Sequence, residues 1–585
     1  MNKLLLLSLL FALFLCSCQD AEFLDNTQTT DLNEETVFAD STFAIQFLFG
    51  LYEDIGFDSD PGRFNNGAFI FSSKSGGLDG ASDEAEPRVL SAITTDIQFA
   101  TGTVNPVIVT RDAWDICYRN IRKANQFLKH LDITPFKADL KAQLAGEARF
   151  LRAWYYAILL KHYGGVPLVG DTVYSADDHI PAIRNKYEEC VQYIVSECDA
   201  AGSVLPFHPT NREYGRVGEG ACMALKARVL LYAASPLFNG SRFAPEEPLT
   251  SILGYPDYDP ERWRIAAEAA EAVINRNFYQ LHVNHSPKRG EGFYEEFVAK
   301  DYRSTNASKG IILERVAEDG NYEEGLWQPP SRGGGHGGAY PYQELVDAFP
   351  MANGKPITDP TSGYDPENPY ADRDPRFYNT INHDQSQMPI AVFGSPVPID
   401  IFLGNYQGRL SGQDAVHAGT PTGYYVNKML KRSIVSSGFI EGPGARPLMR
   451  YAELLLNYAE ALNEYDGPNA RVYDAVNAVR ERGGLFPYEL PAGLTQEEMR
   501  EAIRNERRIE LAFEGHRFFD VRRWMIAEET DNKMMTGMEV IRDGSSVTYN
   551  RFEVRKHNFR KAMYFWPIPY SEVAKSPELL QNPYY

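Results

Sequence analysis

Cysteine is scarce in this chain, with six in 585 residues. Two of them, Cys16 and Cys18, stand in the N-terminal apolar segment, which leaves Cys117, Cys190, Cys198 and Cys222. Cys190 and Cys198, if on one helix, lie about 12 Å apart along its axis. A disulfide tolerates a Cα separation of only about 7 Å. There is no CxxC pair and no dense cysteine framework, so a disulfide-stapled domain is excluded and the four read as buried thiols. Basic residues are also few: 58 Lys and Arg against 79 Asp and Glu give a net charge of −21. Such an acidic chain suits nucleic acid poorly, because that affinity rests on neutralising phosphates. Catalytic signatures are missing too. There is no HExxH and no GxSxG elbow, and "GGGHGG" (333–338) lacks the Lys-Ser/Thr that completes a phosphate loop. His282 and His285 in "HVNH" have no obvious third metal ligand, and the acids of 359–374 do not follow EF-hand spacing. No cofactor or metal is called for, and an enzyme is not expected.

Long apolar runs are absent as well. A membrane-spanning helix needs roughly 20 apolar residues. The longest run here, Leu4 to Leu15, is shorter and follows Lys3, so it reads as a secretory signal. It ends in "LCSC", a lipobox with Leu15 at −3, Ser17 at −1 and Cys18 next. Residues 1–17 are expected to be removed and Cys18 to be acylated. Several acyl chains give stable anchoring where one is marginal. Asp20 and Glu22 resemble export signals of surface lipoproteins.

What is abundant is aromatic side chain, 34 Tyr and 33 Phe, enough for a large core with rings to spare. Helical spacing recurs through 33–55, 111–131, 137–163, 185–206, 218–238, 260–276, 448–465, 470–484 and 495–515. Gly164 and Gly165 stop one helix, and Thr495 with Glu498 forms a capping box at the start of another. Residues 277–445 are rich in Gly, Pro, Asn and Asp. The fold class expected is therefore mostly α. A tetratricopeptide-like helical-pair scaffold (about 33–276 and 446–526) carries an irregular, ligand-facing insertion (about 277–445), and a C-terminal segment (527–585) completes one unit spanning 18–585.

The stretch "NERRIELAFEGHRFFDVRRW" (505–524) invites a catalytic reading. Glu506 and Glu510 are spaced i,i+4, which could bring two carboxyls to glycosidase distance. They lie on one helical ridge with Glu514, however, and basic neighbours keep both ionised, so structural ion pairs are the better reading.

Several segments resemble the SusD/RagB family of outer-membrane nutrient-uptake lipoproteins. They are "WDICYRNIRKANQFL", "ARFLRAWYYAILLKHYGGVPLV", "GACMALKARVLLYAASPLFN", "DRDPRF", "MRYAELLLNYAEALNE", "AVNAVRERGGL", "RNERRIELAFEGHRFFDVRRW" and "FWPIPYSEVAKSPELLQNPYY". The resemblance implies four tetratricopeptide-like helix pairs and an anchor on the outer leaflet facing the cell exterior. It also implies a SusC-like TonB-dependent transporter as partner and capture of glycan, or of peptide in some relatives. A surface glycosidase is a further alternative. No family residue motif carries over to the ligand site. From the residues themselves, Trp327 and Tyr322 in "DGNYEEGLWQPPSRGG", Phe99 in a polar run, and Asp83 with Glu84 in "SDEAEP" are the candidates. Loops on a rigid scaffold carry such sites, with rings for sugar faces and acids for hydroxyls.

Overall fold

The computed structural model describes residues 34–585 apart from 65–74, 88–93, 176, 210–212, 214, 241, 299–308, 318–326, 334–337, 390–395 and 431–443. Cys18, its signal segment and Tyr322 lie outside the described residues. Among those described, no helix is long and apolar enough to cross a membrane.

The helices fall close to where the spacing puts them. They are α1 (Ser41–Tyr52), α2 (Asp112–His130), α3 (Ala138–Tyr163), α4 (Tyr187–Gly202), α5 (Glu219–Ala234), α6 (Glu261–Ile274), α7 (Tyr451–Asp466), α8 (Ala470–Gly483), α9 (Gln496–Glu510) and α10 (Arg517–Arg523). The single helix expected over 33–55 is broken in two, because the Asp40 carboxylate caps Thr42 and Phe43 N–H and starts α1 afresh. Gly164, at φ +78°, ends α3. The capping box is present: Thr495 Oγ1 accepts Glu498 N–H (3.2 Å), and Glu498 accepts Thr495 N–H (2.8 Å).

From α2 to α8 each helix packs on the next, and α7 also packs on α9. That is the helical-pair array expected of a solenoid-like scaffold, where each hydrophobic face is buried by its neighbour. The α6–α7 contact closes across the whole of 277–445, so that segment is an excursion from a continuous array. One large core, running from Phe38 to Leu579, fills the scaffold. Cys117, Cys190, Cys198 and Cys222 are free thiols buried within it.

The excursion has a second core of its own, built from Trp327, Tyr340, Phe349, Phe377, Ile401, Phe402, Tyr424, Ile509, Phe513 and Val540 among others. Strands organise it. They are β1 (Ile311–Ala317), β2 (Leu403–Tyr406), β3 (Arg409–Leu410), β4 (Gly444–Arg450), β5 (Met534–Asp543) and β6 (Ser546–Lys556). β5 and β6 form a long hairpin, and β2 joins β5 in parallel with Ile541 opposite Leu403, giving the sheet order β6-β5-β2-β3. β4 pairs antiparallel with β1. The C-terminal segment therefore supplies the sheet on which the Gly- and Pro-rich insertion folds.

Candidate functional site

Four sequence-derived candidates are described, and all four are buried. Phe99 sits in a short helix (Thr95–Thr101) and packs edge-on against Phe518 and beside Trp566, at 5.0 and 4.8 Å between centroids. Trp327 is 3% exposed and contacts Phe513 at 6.0 Å. Asp83 is fully buried between Arg517 (2.7 Å) and Arg508 (2.8 Å). Burial raises its carboxyl, and the two guanidinium groups more than reverse that, holding it well below the usual range. Glu84 accepts Phe513 N–H at 3.2 Å. Its burial, together with Asp79 and Asp83 nearby, pushes its carboxyl well up. The expectation that Trp327, Phe99, Asp83 and Glu84 face a ligand is thus corrected. Polar flanking sequence hid the fact that all four converge on the turn 511–518, beneath the loop-rich lobe, where they support the surface without forming it.

The acidic ridge forms structural ion pairs, as expected, and does so in the interior. Glu506 and Glu510 are buried, and Glu514 nearly so. Arg376 binds Glu506 at 2.5 Å and Glu510 at 3.2 Å, and Arg450 binds Glu510 at 2.9 Å and Glu514 at 2.6 Å. Arg482 binds Glu510 as well and reaches Glu296 at 2.9 Å, and Lys428 binds Glu514 at 2.7 Å. Arg507 binds Asp520 at 3.2 Å, and Arg523 binds the same carboxylate at 2.8 Å. Burial pushes the Glu510 carboxyl up, but Arg482, Arg450 and Arg376 prevail and hold it down at about 2. A carboxylate so held cannot donate a proton near neutral pH. His282 is engaged by Glu295 at 2.5 Å, and no group of three or more metal-ligating side chains occurs among the described residues.

A polar cluster reaches the surface elsewhere, on the sheet side of the lobe. The β2–β3 turn, Gln407–Gly408, has both residues at positive φ (50° and 76°), as a tight hairpin requires. It presents Tyr406 and Arg409, both half-buried. The Tyr406 ring lies between the guanidiniums of Arg542 (4.5 Å) and Arg409 (5.8 Å). Arg542 is fixed by Asp384 at 2.6 Å, whose other oxygen accepts Ile401 and Phe402 N–H. Arg409 binds Asp400 at 2.9 Å and donates to Gln385 Oε1 at 3.0 Å, and Gln385 in turn donates to Asp400 at 3.0 Å. Next to them Arg332 donates to the carbonyls of Val397 and Pro398, both at 3.1 Å, and to Ser331 Oγ at 2.5 Å. Ser331 donates through its N–H (2.8 Å) and hydroxyl to Asp414. The Nε of Arg332 is buried with no hydrogen-bond partner among the described residues, and burial lowers the guanidinium's proton affinity. A ring flanked by pre-oriented donors and acceptors suits a ligand that offers both apolar C–H faces and hydroxyls. None of these residues stood out in the sequence. The signal that could have found them is the short hairpin "LGNYQGRL", with glycine in its turn.

A helical-pair scaffold with a loop-rich lobe of this form is shared with solved proteins. A SusD-like protein from Bacteroides fragilis superposes with a TM-score of 0.76 at 26% identity, covering 95% of this chain and 99% of that one. A SusD-like carbohydrate-binding protein from the same species gives 0.71 at 24% identity, covering 93% and 100%. In sequence, SusD-like protein P25 of Formosa agariphila is 22% identical over 587 aligned positions, covering 98% of this chain and 97% of that protein. A profile described as "SusD family" matches residues 283–585, and one described as "Starch-binding associating with outer membrane" matches 81–231. The chain belongs to the SusD family.

Proposed function

We propose that this protein captures oligosaccharide at the outer-membrane surface without chemical turnover and passes it to a TonB-dependent transporter partner. The acyl anchor is at Cys18. The observation that carries the reading is the surface cluster of Tyr406, Arg409, Gln385, Asp400 and Arg332 in a chain of this family. Its carboxylates are each already held, Asp400 by Arg409 and Gln385 and Asp414 by Ser331. Held in this way, they suit binding better than acid–base work. The family's starch-binding profile and a carbohydrate-binding neighbour of the same fold support a sugar as ligand.

Arg409→Ala should weaken oligosaccharide binding by roughly tenfold. A hydrogen bond to a charged group is worth about 1.5–3 kcal/mol, and each 1.4 kcal/mol is about tenfold. The melting temperature should hold within a few degrees, because the side chain is half-exposed. Calorimetric titration with panels of neutral oligosaccharides and of peptides, with chromatography of any bound sugar, checks each part. An unchanged affinity moves the site away from this cluster. Binding of peptides alone, or cleavage of the sugar, replaces the reading. Labelling of wild type and Cys18→Ala with a fatty-acid probe tests the anchor.

A further inference from the structure

A cleft of another kind lies in the helical scaffold. It has a volume of ≈ 460 Å³ and opens between residues 167–174 and 181–186, the start of α4 and the turn around Glu247–Ser251. Pockets of about 300–1,000 Å³ are those that hold small ligands. Its floor is stiff. Arg184 is buried there and caps the end of α3, donating to the carbonyls of Tyr163 (2.5 Å) and Gly165 (2.7 Å). It also ties in the C-terminal tail through Leu580 O and Asn582 Oδ1, both at 2.9 Å. The negative end of α3 accounts for that cation, so Arg184 is scaffold. Asn185 fixes the next layer, accepting Leu168 N–H at 2.9 Å and donating to Glu189 at 2.9 Å.

Two carboxylates on the rim are oriented by neutral donors. Glu189 Oε2 accepts from Asn185 and from Lys186 N–H (3.0 Å), and Glu247 Oε1 accepts the Ser251 hydroxyl at 2.7 Å. Neither is ion-paired among the described residues, so each keeps lone pairs for a further donor. The same cleft is lined by the half-buried ring of Tyr174 and the aliphatic surface of Ile183, which is 64% exposed. Lys186 also lines the cleft and would repel a cationic guest. Fixed acceptors in one cleft with a ring and an aliphatic wall match a neutral ligand that is hydroxylated on its edges and apolar on its faces.

We infer that this cleft is a second saccharide site, for a short neutral oligosaccharide, separate from the Tyr406–Arg409 cluster. The inference rests on the reading of the protein as a glycan binder but not on the location of its main site. The test is titration of the full chain with maltohexaose and with laminarihexaose, followed by ligand-observed NMR at millimolar sugar. The proteins are wild type, Arg409→Ala, and a Tyr174→Ala/Glu247→Gln variant, with a lysine-rich hexapeptide as counter-probe and melting curves to verify folding. Wild type should show two binding events. The cleft variant should lose about tenfold in one of them, the scale of one stacked ring, and keep the other. A second variant, Glu189→Gln, should weaken the same event. Sugar binding that responds to Arg409→Ala alone would overturn the cleft and leave the proposed function standing. Binding that responds only to the cleft variants would uphold this site and move the main one. Binding of the peptide but of neither sugar would overturn the inference, and absence of sugar binding altogether would remove both.

Discussion

Glu510→Gln should cost the protein about 3–5 kcal/mol of stability, the range seen when one partner of a buried ion pair is removed. Sequence alone would place Glu510 on an exposed ridge, where each pair is worth only about 0.2–0.5 kcal/mol. Its position changes the magnitude. It stands at the centre of Arg376, Arg450 and Arg482, and its own carbonyl accepts from Lys428 (2.9 Å) and Arg450 (3.1 Å). A glutamine keeps the volume but not the charge, and its amide N–H₂ would point donors at donors. Glu506, Glu514 and Glu296 still bind Arg376, Arg450 and Arg482, so what is lost is the central carboxylate that joins the three. These cations come from the insertion (Arg376, Lys428), from β4 (Arg450) and from the end of α8 (Arg482), so the loss would loosen the lobe from the scaffold. The acid branch gives a second check. The ordinary glutamate value is 4.5 and the folded value is about 2. The group's contribution is therefore complete above about pH 4.5 and is lost as pH falls through about 2. That is a loss of about 3 kcal/mol at 1.36 kcal/mol per unit. Urea midpoints of wild type and variant should differ widely at pH 7 and converge toward pH 2. A small, pH-independent difference would mean that the network tolerates a neutral centre.

The helices were legible because their signals are local. Leu144, Ala148, Leu151 and Tyr155 repeat on one face of α3, glycines end it, and Thr495 and Glu498 cap α9 within one turn. The lobe was not legible, for two physical reasons. Its core is assembled from segments far apart in sequence, with Phe377, Phe402, Phe513 and Val540 meeting only when the chain is folded. Polar residues beside a ring therefore say little about its exposure, as Trp327 and Phe99 show. The β5–β6 hairpin did carry a local signal, the turn Gly544–Ser545 between alternating runs, with Gly544 at φ +57°. Charge was the second source of error. A pattern such as Glu506, Glu510, Glu514 reads the same whether solvent or Arg376 and Arg450 lie above it. Arginines at 376, 450 and 482 can be assigned to those glutamates only once the β4 strand and α8 have been placed. The surface cluster at Tyr406 and Arg409 depends likewise on β2 finding β5.

Asp79→Asn should stabilise the protein by about 2–3 kcal/mol at pH 8 while changing little near pH 4. Asp79 is buried in the turn beneath the lobe, where its carboxylate accepts Gly515 N–H at 3.1 Å. Burial is the main influence on it and pushes its carboxyl up to about 6, against the pull of Arg446 and Lys428. Glu84 is the second acid of the site, pushed well above its ordinary value by burial and by Asp79 itself. Arg508 and Arg517 pair with Asp83, and the pull of Arg517 on Glu84 does not reverse the rise. An acid whose folded value exceeds its unfolded value of 3.8 binds its proton more tightly in the native state. Stability then falls as pH rises from about 4 to about 6, and the deficit persists above. The shift, at 1.36 kcal/mol per unit, bounds the deficit at about 3 kcal/mol. Asparagine has no proton to lose. It keeps an oxygen for Gly515 N–H, and its amide can donate to Glu84 in place of the side-chain hydrogen bond that Asp79 and Glu84 share. The measurement is the difference in unfolding free energy between variant and wild type at half-unit steps from pH 4 to pH 8. It should rise through the window and level off near pH 7. A flat difference would mean that Asp79 is ionised in the native state throughout, and that Arg446 and Lys428 compensate it fully.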